Sequence, residues 1–375
     1  MEQFDFFIRL FNDYTTQTIG LGTAFLGLMS GVLGVYAFLR KQSLLGDAVA
    51  HASLPGIALA FMLTGTKNTL LIFAGAAVAG WVATFWISGI IKNTRIKSDA
   101  ALAIVLAVFF GFGLVLLEFV NRMENANQSG LETYLFGQAA TLLREDVLIM
   151  GVISVFALLV ITLLWKEFKL MTFDEQFARS LGFNQRYTDL AINTLIVLSI
   201  VIGLQTVGVI LMSALLIAPA AAARQWTNRM STMVLLSAVF GILSGVVGTG
   251  ISSAGNNLST GPVIVLVAVV IVVVSFVFAP NRGWLARLIT KNRNRRSLAL
   301  NKLLESLYDT CLNHSDIQHR HSINIIKTMP GYNPKTLKAL SEKGLIEISG
   351  DNQWCLTNRG ISKAEESIKP GRDNS

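Results

Sequence analysis

Asp47 and His51 stand four residues apart in the stretch Ser43-Leu-Leu-Gly-Asp-Ala-Val-Ala-His-Ala-Ser-Leu-Pro-Gly56, so on a helix they share one face. A carboxylate beside an imidazole suits borderline divalent ions such as Mn²⁺, Fe²⁺ and Zn²⁺. Calcium and magnesium prefer oxygen alone. The stretch is apolar, and at about 1.5 Å per residue from Arg40/Lys41 it carries His51 some 15 Å deep into a bilayer. A charge at that depth costs about 2.5–3.5 kcal/mol even on the lenient insertion scale, which marks function by default. The competing reading is an acid–imidazole hydrogen bond that locks two helices together. His51 is the only histidine among the apolar runs, and Asp47 the only acid deep within one. Glu118 lies at the outer end of its run, where snorkelling accounts for it; a part in cation entry is its alternative. Pro55 lacks an N–H, so the His51 carbonyl loses its helical partner. That oxygen either faces an ion or is bound by the Ser53 hydroxyl or water. Two side chains do not fill a coordination sphere, so waters or a second copy must contribute.

Two other stretches read as moving parts. Phe173-Asp-Glu-Gln-Phe-Ala-Arg-Ser-Leu-Gly182 predicts a short helix, with Asp174 and Glu175 at its N-terminus and Gly182 closing it. Either it is an ordinary loop helix or it is the lever that docks into a nucleotide-binding partner. Val207–Ala220 predicts a span that ends and kinks near Pro219, which frees the carbonyl of Leu215. With Pro55 and Gly56, Pro219 makes a set of candidate kink or gating positions. No Gly-x-x-x-x-Gly-Lys-[Ser/Thr] occurs, so any ATPase must be another chain.

The elements that hold these residues are membrane spans. The chain has 375 residues, 52% hydrophobic and only 14% charged, with a mean hydropathy of +0.55. Soluble domains carry about 25% charged residues, which excludes an ordinary cytosolic enzyme. Runs long enough to cross a bilayer lie near 18–39, 44–62, 69–91, 100–120, 147–165, 188–204, 207–223, 232–251 and 262–280. That makes nine, and the short connection around Gln205 leaves eight to ten open. With the N-terminus outside, the inner loops carry seventeen Lys/Arg, and the outer segments only Arg9, Lys67, Arg122 and Arg144. The start, Met-Glu-Gln-Phe-Asp, lacks the basic region of a cleaved signal peptide, and the first run is read as retained. Gly27-x-x-x-Gly31 and Gly241-x-x-x-Gly245 either bring helices close together or merely reflect how common small residues are in bundles.

Composition changes after Pro280. The organisation expected is a permeation domain over 1–280, a basic juxtamembrane linker over 281–297, a small cytoplasmic α+β domain over 298–370 and a disordered tail over 371–375. Within the domain, Leu300, Leu303, Leu304 and Leu307 mark an amphipathic helix, and Leu337 and Leu340 a second. Two strands, 345–349 and 353–357, follow with a turn at 350–352. Cys311, His314, Asp316, His319 and His321 crowd eleven positions. They offer ligands for the same ions, or they are polar loop residues without metal.

"LRKQSLLGDAVAHASLPGIALA", "FDEQFARSLG", "VGVILMSALLIAPAAAAR" and "SSAGNNLSTGPVIVL" resemble, in order, the characteristic segments of the permeases of manganese, zinc and iron ABC importers. The resemblance covers roughly residues 15–280. It implies an all-α polytopic fold of the type II ABC importer kind in the bacterial cytoplasmic membrane. It also implies a second permease copy or paralogue, cytoplasmic ATPase subunits and an extracytoplasmic metal-binding protein. On this chain Asp47 and His51 match the family's metal-coordinating positions, and residues 173–182, with Phe177, Ala178 and Leu181, its ATPase-coupling helix. "PKTLKALSEKGLIEISGDNQWCLTNRGISKAEE" resembles the winged-helix part of diphtheria-toxin-type iron-dependent repressors. Its net charge of only +1 over 298–375 argues against nucleic acid and for a protein-interaction role.

Three other classes compete: a secondary metal transporter or channel using the same pair, a membrane-tethered winged-helix regulator, and a cobalamin or siderophore permease. The last has no need of a buried acid–imidazole pair.

Overall fold

The computed structural model describes residues 14–65, 68–122, 137, 139, 142–255, 258–280, 282–312, 320–349 and 352–372. The chain divides into two compact units, Met1–Gly283 and Trp284–Ser375.

The first unit is helical: α1 (Tyr14–Leu39), α2 (Leu45–Ala52), α3 (Leu54–Thr64), α4 (Thr69–Asn93), α5 (Ser98–Asn121), α6 (Arg144–Leu163), α7 (Trp165–Phe173), α8 (Glu175–Ser180), α9 (Gln185–Thr206), α10 (Val209–Trp226), α11 (Met230–Ala254) and α12 (Thr260–Phe278). Among the described residues eight stretches are long and apolar enough to cross a membrane: α1, α2 with α3, α4, α5, α6, α9, α11 and α12. α10, which follows α9 after Val207-Gly208, stands beside them as a further long helix. Gly208 has φ 87, a left-handed conformation that costs glycine nothing, and it ends the two-residue break between the helices. Outward faces are apolar as well as inward ones, with Leu63, Val78, Phe85, Val152 and Leu159 exposed. Such all-round apolarity belongs to spans whose solvent is lipid.

α1 is the hub. Its Gly27 lies so close to Gly241 of α11 that a Cβ on either would fall on the other's carbonyl. Gly31 abuts Ser237 and Gly245 abuts Thr23 in the same way, so both glycine motifs line one antiparallel crossing. The crossing is cross-linked: Ser237 Oγ donates to the Gly31 carbonyl at 2.6 Å, and the Thr23 and Thr249 hydroxyls lie 3.1 Å apart.

Pro219 corrects one expectation. α10 does not end there but runs on to Trp226. The Ala220–Ala223 run that follows has the strongest helix propensity, and neighbouring helices make a proline tolerable inside a membrane helix.

The second unit contains α13 (Trp284–Leu312), β1 (His321–Ser322), α14 (Ile323–Ile326), α15 (Pro334–Glu342), β2 (Ile346–Ser349), β3 (Gln353–Leu356) and α16 (Asn358–Arg372). The strands form an antiparallel sheet in the order β1-β3-β2, with Ile346 opposite Leu356 and His321 opposite Trp354. β2 and β3 match the expected strands to within a residue, whereas β1 had no sequence signal, being two residues long. Leu303, Leu304, Leu307, Leu340, Ile346, Trp354 and Leu356 make its core. The segment expected as a linker is helical from Trp284 onward, continuous with the amphipathic helix after it.

Candidate metal site

The site begins at the C-terminal end of α1. Lys41 adopts φ 59, and the Gln42 N–H donates to the Ala37 carbonyl at 2.9 Å. This left-handed stop turns the chain so that α2 starts at Leu45. Asp47 falls in the first turn of α2, where the helix dipole favours a carboxylate, and His51 in its last. Gly46 seats α2 on α10, since a Cβ there would meet Leu216 Cδ2 at 3.0 Å and Ser213 Cα at 3.2 Å.

His51 Nε2 lies 3.3 Å from Asp47 Oδ1, as the i, i+4 spacing requires. The imidazole is mostly buried, and about a third of the Asp47 side chain is open (15% and 32% exposed). Phe110 of α5 packs edge-on against the imidazole at 4.6 Å between centroids. His51 Nδ1 is buried without a hydrogen-bond partner. Among the described residues no third His, Cys, Asp or Glu joins the pair to make a protein-only cage.

The break after His51 has its expected cause in Pro55. α2 stops at Ala52 and α3 starts at Leu54, with Pro55 in its first turn. The Ser53 hydroxyl donates to the Val49 carbonyl at 2.9 Å, which removes it as the partner of the His51 carbonyl. Pro55 is packed by Gly113 of α5, where a Cβ would lie 2.9 Å from the proline Cδ. Gly56 lies against Gly75 of α4, so close packing is the immediate reason for glycine there.

The segment 173–182 is a short helix closed as expected. Asp174 caps α8, its Oδ1 accepting from the Phe177 N–H at 2.9 Å, and Glu175 pairs with Arg179. Gly182 has φ 86, and the Phe183 N–H closes the turn onto the Ala178 carbonyl at 3.2 Å. Ala178 is buried against the bundle, whereas Phe177 and Leu181 are exposed. The α8 helix thus presents two apolar side chains outward from a fixed base.

Sequence reasoning missed an ion-pair cluster beside it. Asp189 in the first turns of α9 accepts from Arg40 Nη1 at 3.0 Å and lies 3.8 Å from Lys92 Nζ. It ties the C-terminal ends of α1 and α4 to the helix that follows α8. Arg40 and Asp189 are 149 positions apart, and only the acid's isolation at the start of an apolar run marked it. Glu118 pairs with Arg122 at 3.0 Å, both exposed, at the C-terminal end of α5 and away from Asp47 and His51 along the chain.

In the second unit Cys311 and His321 are core residues. The His321 ring stacks on Trp354 at 5.1 Å, and burial, with a smaller contribution from Cys355, pushes the Cys311 thiol up to about 11. A thiol held protonated is a poor metal ligand. His314 and His319 lie outside the described residues.

The family model described as "ABC 3 transport family" matches residues 12–279. A zinc transport system membrane protein, TroC, of Treponema pallidum is 50% identical over 286 residues, covering 76% of this chain and 96% of its own. A manganese transport system membrane protein, MntC, of Bacillus subtilis is 41% identical over 354 residues, covering 93% of this chain and 80% of its own. The solved structure of PsaBC from Streptococcus pneumoniae in complex with Fab is similar, with a TM-score of 0.66 and 32% identity, over 75% of this chain and 98% of that one.

Proposed function

This chain belongs to the ABC 3 transport family, and from that premise we propose that it passes Mn²⁺ or Zn²⁺ inward by alternating access around Asp47 and His51. It is a multi-pass permease of the bacterial cytoplasmic membrane, not an enzyme, and ATP hydrolysis belongs to a separate chain. The TroC and MntC relatives carry zinc and manganese in their names, and iron has no such support.

One observation carries the site: a carboxylate and an imidazole 3.3 Å apart in the bundle, Asp47 Oδ1 facing His51 Nε2. A divalent ion with bound waters is the partner such a pair lacks. ATP binding by the partner chain moves α8 through Phe177 and Leu181, and α9 passes the movement to α1 and α4 through Asp189. The N-terminus lies outside and the second unit inside, as the charge asymmetry of the loops favours.

The second unit we read as a winged-helix-like module for protein contact, on the order of α15 followed by the β2–β3 hairpin. The TroC relative matches nearly end to end within 76% of this chain, so the transport core does not require it.

The test is uptake of radioactive Mn²⁺ and Zn²⁺ by cells carrying Asp47→Asn with His51→Ala. Uptake should fall by more than the roughly 10–100-fold typical of outer-sphere partners, with unchanged co-purification of the ATPase. Undiminished uptake by an assembled complex sinks the site.

A further inference from the structure

We infer that the first half of α13 is an interfacial anchor that binds anionic phospholipid, its apolar turns entering the acyl boundary and its Arg295/Arg296 end holding headgroup phosphates. The inference rests on the second unit lying on the cytoplasmic side, and not on the Asp47–His51 site.

Trp284, Leu285, Leu288 and Ile289 fall within one face of the first two turns of α13, and all are exposed; Trp284 and Ile289 are 63% and 67% open. A soluble helix does not leave such a cluster bare without a partner. Continuing along the same face at helical spacing come Asn292, Arg295 and Arg296. These line a cavity of about 650 Å³ completed from α15 by Asn333 and Lys335. One face therefore runs from apolar to cationic along its length, which is the polarity of a lipid molecule lying against it.

Charge and tethering identify the occupant. α13 carries Arg287, Lys291, Arg293, Arg295 and Arg296, and no Asp or Glu occurs between Asp189 and Glu305. A basic amphipathic helix directly after a span reads as a site for anionic lipid. Only five residues separate the end of α12 at Phe278 from Trp284, so chain length alone keeps Trp284 within about 20 Å of the bilayer. A nucleic acid would use the cations but not the four apolar side chains. A protein partner would use the apolar residues but has no particular need of five cations without an acid.

The test is a nitroxide at Ile289→Cys or, on the opposite face, Asn294→Cys, in the full chain with Cys355→Ser. Cys311 is buried and needs no replacement. Chains are placed in nanodiscs of phosphatidylcholine alone or with about a third phosphatidylglycerol, which expose both faces and so do not depend on orientation. In the anionic discs the Ile289→Cys label should be accessible to oxygen and shielded from a nickel chelate, with the Asn294→Cys label the reverse. Arg295→Gln and Arg296→Gln should each lower the docked-to-free ratio about fivefold in anionic discs and hardly at all in neutral ones. The inference is overturned if Ile289→Cys is as open to nickel as Asn294→Cys in both discs. It is equally overturned if shielding appears only when ATPase chains or duplex DNA are added.

Discussion

The α1–α11 crossing and the α2–α3 segment are both made of small residues inside the same bundle, yet they treat polar atoms in opposite ways. At the crossing, the Ser237 hydroxyl is spent on the Gly31 carbonyl, Thr23 on Thr249, and Ser30 on the Leu26 carbonyl at 2.7 Å. Nothing is left over for a ligand. Around His51 the opposite holds: the helix is broken, a carboxylate is partly open, and an imidazole nitrogen is buried without a partner. In a membrane an unmet polar group is costly, so an incomplete site persists only where something else completes it. The crossing holds the bundle together; the broken segment holds the carboxylate–imidazole pair on which the proposed transport turns.

The contrast can be broken most severely at Gly27. Gly27→Leu should drive a side chain into the Gly241 backbone and cost at least about 1–3 kcal/mol, read as a fall in the melting temperature of detergent-solubilised chain. His51→Leu also takes away the partner of Asp47, but that carboxylate is a third open, so the loss should stay below that of Gly27→Leu, at about 1 kcal/mol or less. If the two variants melt alike, the division between structural and functional segments fails.

A second test extends the contrast to the α8 surface, where exposed Phe177 and Leu181 are unmet apolar groups rather than polar ones. Phe177→Ala with Leu181→Ala should leave the melting temperature alone while weakening co-purification of the ATPase by about tenfold or more, as truncating two interface anchors does. Equal recovery of the ATPase would return α8 to an ordinary loop helix. The smallest effect is expected from Ser237→Ala, about 0.6 kcal/mol, the average for a hydrogen bond between membrane helices. A loss several times larger would mean that the crossing depends on that hydroxyl more than on its glycines.

Much of this was legible in the sequence because the signals are local. Asp47 and His51 face one way by spacing alone, Asp174 and Gly182 cap and close α8 by residue type, and Pro55 ends α2 by lacking an N–H. The glycine motifs announced a close crossing but not which helices met; the pairing of Gly27 with Gly241 is set by packing across 214 positions. Phe110 against His51 and Asp189 between Arg40 and Lys92 were hidden for the same reason, since their partners are distant in the chain. Pro219 misled because propensity was read without the helices that pack round it. β1 went unread because two residues carry no period.

The central claim, that His51 is a metal ligand in the membrane, is tested most directly by magnetic resonance of Mn²⁺ bound to the assembled complex in nanodiscs, with ¹⁵N-histidine throughout. A hyperfine coupling to one imidazole nitrogen is expected, vanishing in His51→Ala and surviving replacement of His314, His319 and His321. A coupling that persists without His51, or none at saturating Mn²⁺ and Zn²⁺-competed binding alike, would contradict it.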